Sequence, residues 1–279
     1  MQPLICACIQ LRSTDIISVN IQNARTLIGE AAQKGAQFVS TPEVTGFMDI
    51  RPGGTRSKAV FEAEDECLSA MRKVAQDHKI WLQIGSLAIK VEGEERFANR
   101  SFLINPQGEI RARYDKIHMF DVDVGDGQAY RESKAYRPGE RAVLANTPIA
   151  NIGMTICYDV RFGALYRTLA QAGAQIITVP AAFTRVTGEA HWEVLLRARA
   201  IENGVFIVAA AQGGKHADGR ETYGHSMIVA PWGEVLAEGG TEPGVILAEL
   251  DLSRVDQARQ RVPSLKHDRM FSLDVIEAD

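Results

Sequence analysis

Apolar positions along this chain change period several times, and each change marks an element. Residues 4–9 form a short continuous apolar run, the pattern of a strand buried on both faces. Ile17, Ile21, Ala24, Ile28 and Ala31 then recur every three or four positions. That spacing predicts a helix over 16–34, with Thr14 or Asp15 as its cap and Gly35 at its end. A strand at 37–39 stops before Pro42. A second helix is expected over 61–78 and a strand over 80–84. A hairpin follows, its arms at 101–104 and 109–114 joined through Asn105-Pro106-Gln107-Gly108.

The second half repeats this order. Strands are expected at 149–157, 175–179 and 205–211, helices at 164–172 and 189–203, and a hairpin over 225–236 turning at Pro231-Trp232-Gly233. Two local matches support a duplication. Residues 32–42 read AQKGAQFVSTP against AQAGAQIITVP at 170–180, and SFLINPQGEI at 101–110 parallels SMIVAPWGEV at 226–235. Repeated α-β units with one shared hairpin imply an α/β fold of two similar layers related by a pseudo-twofold axis. The expectation is two sheets packed face to face, covered outside by helices, in a single domain spanning 1–279.

Composition narrows the function. Hydrophobic residues make up 46% of the chain and charged residues 24%, enough for a packed interior. A net charge of −4 argues against nucleic acid, whose phosphates need a concentrated basic face. No apolar run is long enough to span a bilayer, and no basic leader precedes a long apolar core, so a cytoplasmic protein is expected. Cys6, Cys8, Cys67 and Cys157 have no spacing of a disulfide framework. Cys6 and Cys8 should share one face of a strand, without the second ligand pair that zinc would need. Three of the four read as buried thiols in a reducing compartment.

The chemistry lies where the duplication breaks. The first copy ends Pro42-Glu43 and the second Pro180-Ala181, so one strand end keeps a carboxylate that its twin lacks. Cys157 ends an apolar strand and precedes the polar turn Tyr158-Asp159-Val160-Arg161. A strand-to-helix elbow exposes a nucleophile, and a nearby helix N-terminus favours thiolate. Lys116 closes the first hairpin and supplies a cation for a developing oxyanion. Singly, each has an ordinary reading: a surface glutamate, a buried thiol, a solvated lysine. His118, His191 and His225 are alternative bases, but none has an obvious carboxylate partner in the sequence, so a Cys–His pair is the weaker reading.

Thr41-Pro42-Glu43, Tyr114-Asp115-Lys116-Ile117-His118 and Gly153-Met154-Thr155-Ile156-Cys157-Tyr158-Asp159-Val160-Arg161-Phe162 resemble, in order, the three signature blocks of the nitrilase superfamily of carbon–nitrogen hydrolases. The resemblance covers nearly the whole chain. It implies a four-layer α-β-β-α sandwich, a catalytic triad at Glu43, Lys116 and Cys157, and a second supporting glutamate at Glu132. It also implies hydrolysis through a cysteine acyl-enzyme without metal or organic cofactor, in a homodimer or larger homo-oligomer. The Tyr158 N–H is expected to join Lys116 in holding the oxyanion.

Residues 187–202 and Tyr223-Gly224-His225-Ser226-Met227 resemble the small-amidase branch, and within it the deaminated-glutathione amidases. Ala209-Ala210-Ala211-Gln212 leans the same way. The implied substrate is a small α-keto acid amide, the 2-oxoglutaryl amide of cysteinylglycine, with no nucleic-acid or membrane partner. The ω-amidases, acting on 2-oxoglutaramate, share much of the pattern. A carbamoyl-amine hydrolase, a nitrilase and a catalytically idle scaffold are weaker rivals. Arg161 matches the branch's carboxylate-binding arginine, with Phe183 and Thr187 as neighbouring pocket residues. The chain departs from the family at Gly163-Ala164, where Pro-Glu is common, and a looser helix start behind the nucleophile is expected there.

Overall fold

In the computed structural model, which describes residues 3–49, 51–124 and 129–277, the two halves of the sequence build two sheets of matching strand order. In the first sheet Leu4–Gln10, Phe38–Ser40 and Trp81–Lys90 run parallel, and the hairpin Ala98–Ile104 and Ile110–Asp115 continues it antiparallel. In the second sheet Asn151–Met154, Ile176–Thr178 and Phe206–Ala209 run parallel, followed by the hairpin Met227–Val229 and Val235–Glu238. The duplication is realised strand for strand.

Beyond each first strand lies an antiparallel partner that the apolar pattern does not announce. Gly244–Leu250 pairs with Leu4–Gln10, and Val143–Asn146 pairs with Asn151–Met154. The chain after 244 thus returns to the strand that opens it and ties the ends together.

Alternation along the strands sets the layers. Cys6 and Cys8 point into the core between the sheets, with Phe38, Trp81 and Leu103 on one side and Ile152 and Ile176 on the other. Ala7 and Ile9 face the opposite way, onto Ile28 and Met71 of the helices Ile17–Gln33 and Glu66–His78. Gly163–Gln171 and Arg185–Asn203 cover the outside of the second sheet through Leu169, Trp192 and Leu196. This is the four-layer α-β-β-α sandwich. All four cysteines are free and buried.

Several boundaries differ from expectation, each for a local reason. The first helix begins at Ile17 with no side-chain cap; Thr14 instead accepts from the Ile16 N–H in a local turn. The second begins at Glu66, where Asp65 accepts from the Leu68 N–H at 2.7 Å. Glu62, expected inside that helix, is held at the sheet by Arg100 and Arg113. The helix expected from 189 starts four residues earlier, at Arg185, whose guanidinium pairs with Glu189 one turn on. Gly163 does start a helix, with Arg199 packed behind the turn and donating to the Val160 carbonyl at 2.7 Å. The stretch 262–268 packs on its own subunit, where Arg167 bonds the Ser264 carbonyl and Asp268. Among the described residues, no helix is long and apolar enough to cross a membrane.

Candidate active site

Loops at the carboxyl ends of the parallel strands open into one cavity of about 550 Å³, lined in part by Glu43, Lys116, Glu132 and Cys157. Four residues from four separate elements meet here, as expected from the sequence.

Glu43 follows the strand Phe38–Ser40 on a loop with little freedom. Val44 N donates to Ser86 Oγ at 2.9 Å and Thr45 N to the Ser86 carbonyl at 3.0 Å. From the other sheet, Gln212 Nε2 donates to the Glu43 carbonyl at 3.0 Å. Gly85 lies so close beneath the loop that a Cβ would come within 2.3 Å of the Pro42 backbone. Any larger residue there would displace the Glu43 turn.

Lys116 follows the strand Ile110–Asp115 and is almost fully buried, with 2% exposure, so its charge must be met inside the protein. Its Nζ donates to Glu43 Oε1 at 2.8 Å and to both oxygens of Glu132, at 3.0 and 2.9 Å. Asn99 Nδ2 lies between the carboxylates and donates to Glu43 at 2.9 Å and Glu132 at 3.1 Å. Glu43 Oε2 accepts from the Ala182 N–H at 2.9 Å, and the carboxylate stands close enough to the Cys157 thiol for each to shift the other's pKa.

Cys157 sits on a sharp elbow. Its φ of 49° is left-handed and costs a side-chain-bearing residue of order 1–3 kcal/mol. The Cys157 N–H to Pro180 carbonyl bond, 2.9 Å, helps hold it there. Strain of this kind aims a nucleophile out of a sheet.

The charges are distributed as carboxylate, ammonium and thiol. Burial alone would raise the Glu43 pKa, but the Lys116 charge and hydrogen bond outweigh it and hold Glu43 below the usual carboxylate range. Burial would lower Lys116, yet Glu132 and Glu43 push it well above the ordinary lysine value. Burial pushes Cys157 up, and the Glu43 charge adds to this against the opposing pull of Lys116. The pull toward thiolate expected from the elbow is therefore outweighed by burial. The helix N-terminus is replaced by the short 3-10 turn Cys157–Arg161, and a thiolate would add a second net negative charge to a dry site.

The expectation about the histidines is corrected too. His118 has a carboxylate partner: Asp159 Oδ1 lies 2.7 Å from His118 Nδ1 and accepts the His118 N–H at 3.1 Å. Asp159 Oδ2 accepts from Tyr114 OH at 2.7 Å and the Ile156 N–H at 2.8 Å. His118 stacks on Phe162 at 3.5 Å, and among the described residues no hydrogen bond joins it to Cys157. The pair clamps the elbow to the first sheet. His225 pairs with Glu238, while His191 lies within the helix Arg185–Asn203. Asp159→Asn leaves buried donors short of an acceptor, worth about 1–3 kcal/mol of stability. A lowered Tm and a lowered kcat with KM nearly unchanged are expected; wild-type values of both would contradict the clamp.

The other expected site residues divide. Tyr158, Phe183 and Thr187 line the cavity. No backbone carbonyl among the described residues accepts from the Tyr158 N–H. Arg161 is not in the cavity wall. Its guanidinium lies 5.4 Å from the Phe183 ring centre and 5.8 Å from that of Tyr158, with Nη2 3.3 Å from His191 Nδ1. Among the described residues it forms no ion pair, so the charge next to the wall is unspent. Asn99 and Asp159 have functional places that the sequence does not announce. Asn99 has no distinct signal, because it opens the polar run Asn99-Arg100-Ser101 of the strand Ala98–Ile104.

A buried acid, ammonium and thiol converging on one cavity of an α-β-β-α sandwich define a cysteine hydrolase. Over residues 5–260 the chain matches the carbon-nitrogen hydrolase family, and it belongs to that family. It is a thiol-dependent hydrolase of amide carbon–nitrogen bonds. A protein of Synechocystis sp. named deaminated glutathione amidase is 42% identical over 275 residues, covering 97% of this chain and 100% of that protein. The Caenorhabditis elegans NitFhit protein superposes with a TM-score of 0.89 at 36% identity, over 96% of this chain and 66% of that one. An amidase from Nesterenkonia sp. was solved with the acetamide moiety of fluoroacetamide covalently added at its active site cysteine. It is 28% identical, with a TM-score of 0.79 over 93% of this chain and 95% of that one.

Proposed function

We propose that Cys157 is the nucleophile of an amidase acting on a small α-keto acid amide, with deaminated glutathione as the substrate. The observation that carries the mechanism is the Glu43 carboxylate, bonded to Lys116 and set beside the Cys157 thiol in one cavity. Glu43 takes the thiol proton as sulfur attacks the amide carbonyl. The oxyanion is held by Lys116 Nζ and the Tyr158 N–H. Glu43 passes the proton to the departing amine, leaving a thioester on Cys157. Water, deprotonated by Glu43, attacks the thioester, the acid departs and the thiol recovers its proton. Glu132 positions Lys116 through its two hydrogen bonds.

Relatives named for deaminated glutathione support the substrate, as does a cavity larger than 2-oxoglutaramate fills. Arg161, packed against Phe183 outside the wall and free of any carboxylate partner among the described residues, turns its guanidinium from His191 into the cavity to take the keto acid carboxylate. The test compares kcat/KM for deaminated glutathione, 2-oxoglutaramate and an N-carbamoyl amino acid, with Cys157→Ala as control. The first substrate should rank highest and Cys157→Ala should show no turnover. A higher rank for either other substrate would overturn the substrate, and an active Cys157→Ala the mechanism.

The protein works as a homo-oligomer in a reducing, cytoplasmic setting. Four free cysteines support the compartment. Met270, Phe271, Leu273, Val275 and Ile276 are each at least 81% exposed, and Val194, Ile201, Trp232 and Val262 expose further apolar surface. That much uncovered apolar area is unusual for a monomer. A solution mass of one chain by light scattering would contradict this.

A further inference from the structure

The cavity holds more positive charge than the triad uses. Lys116 is spent on Glu43 and Glu132, and Asp49 on Arg51 and Lys58. Arg131 donates to the Val122 and Tyr130 carbonyls. Of the remaining charged lining residues, Glu95 is the acid, while Arg56, Lys134 and Arg220 form no ion pair among the described residues. Arg56 and Lys134 are exposed. Arg220 is half-buried, and its Nε is fully buried with no hydrogen-bond acceptor among the described residues. A buried guanidinium donor left unmet inside a substrate cavity is costly unless a ligand meets it.

Arg220 is also rigidly presented. It sits at the turn of the hairpin Gly213–Lys215 and Glu221–Tyr223. Its carbonyl accepts from the His216 N–H at 2.8 Å, and its own N–H donates to Asp218 Oδ1 at 3.0 Å. His216 pegs the hairpin to the body: at 4% exposure, its Nδ1 lies 2.9 Å from the Ser13 carbonyl and its Nε2 2.7 Å from Thr222 Oγ1. The Tyr223 N–H bonds the Phe183 carbonyl at 2.9 Å, fixing the hairpin to the cavity wall.

A row of rings leads from the nucleophile to this arginine. Tyr158, next to Cys157, packs on Phe120 with centres 5.1 Å apart, Phe120 on Tyr130 at 5.1 Å, and the Arg220 guanidinium lies 5.7 Å over Tyr130. The arginine stands at the far end of an aromatic wall, out of reach of a departing ammonia. A longer leaving amine that ends in an anion would lie along the wall and meet it.

We propose that Arg220 is the centre of a second anion subsite, which binds a carboxylate carried by the leaving amine and so selects peptide-like amides of an α-keto acid over primary ones. This rests on the substrate proposed above, in which the leaving group is cysteinylglycine with its free terminal carboxylate. Arg161 and Arg220 then hold the two ends of one dianionic substrate, with the scissile bond between them.

The experiment compares wild type and Arg220→Gln on three amides: deaminated glutathione, the same compound with its terminal carboxylate capped as an amide, and 2-oxoglutaramate. In Arg220→Gln, KM for deaminated glutathione should rise about tenfold with kcat changed little, the size of one charge-assisted contact discounted for partial exposure. Neither KM for the capped compound nor KM for 2-oxoglutaramate should move. Arg220→Lys, which keeps the charge and loses the fork, should fall between. An equal KM rise on all three amides, or none on any, would overturn the subsite and leave the proposed substrate standing. Wild-type enzyme that prefers 2-oxoglutaramate would overturn that substrate and the subsite with it.

Discussion

Glu43→Gln is expected to lower kcat/KM by about 10²- to 10⁴-fold while making Cys157 easier to alkylate. The two effects have one cause. In the proposed mechanism Glu43 is the base, so turnover needs its carboxylate. The same carboxylate raises the thiol, through its charge and through the hydrogen bond it accepts from sulfur. Gln removes the charge and leaves Lys116 to pull the Cys157 pKa down. Iodoacetamide labelling followed against pH should therefore reach half its maximal rate at lower pH in Glu43→Gln than in wild type. Slower labelling at every pH, or unimpaired turnover, would contradict the assignment. In wild type the sign of the acid limb follows as well. A carboxylate held below its usual range stays ionised as pH falls, so kcat/KM should persist into the ordinary carboxylate range and drop only below it.

Lys116→Met should cost about 3–5 kcal/mol of stability near neutral pH, because it strands the buried Glu43 carboxylate beside the partly buried Glu132. It should also lower kcat by roughly 10²- to 10³-fold through the lost oxyanion donor. Without the ammonium, burial is left to raise Glu43 above its unfolded value, so the penalty is full at high pH and eases as acid protonates it. The Tm deficit against wild type should therefore shrink from pH 8 toward pH 5. Adding Glu132→Gln should restore most of the Tm and none of the kcat. A deficit that grows in acid, or activity that returns with stability, would show that Lys116 acts otherwise.

Much of this is legible in the sequence because the fold is written twice. The repeat at 32–42 and 170–180 marks the strands Phe38–Ser40 and Ile176–Thr178, and the two hairpins mark the sheet edges. The triad is legible through contrast, a glutamate where the twin strand carries Ala181, and through three motif blocks. The partners of Asp159 are not. Tyr114 and His118 lie on the far side of a chain closure that no local pattern encodes, and only the packed sheets bring them within 3 Å. The protonation state of Cys157 is hidden for a related reason. A strand-to-helix elbow suggests thiolate when read alone, but burial in the packed site raises the thiol, and the carboxylate from residue 43 adds to it. Arg220 carries no sequence signal either, since a turn arginine is ordinarily solvated.

The most direct measurement of the central claim is intact-protein mass spectrometry after rapid acid quench of the enzyme with deaminated glutathione, followed by peptide mapping. The account predicts a 2-oxoglutaryl adduct on the peptide containing Cys157, lost when Cys157 is replaced by Ala. An adduct on another residue, or full turnover by an enzyme in which Cys157 has been alkylated, would contradict it.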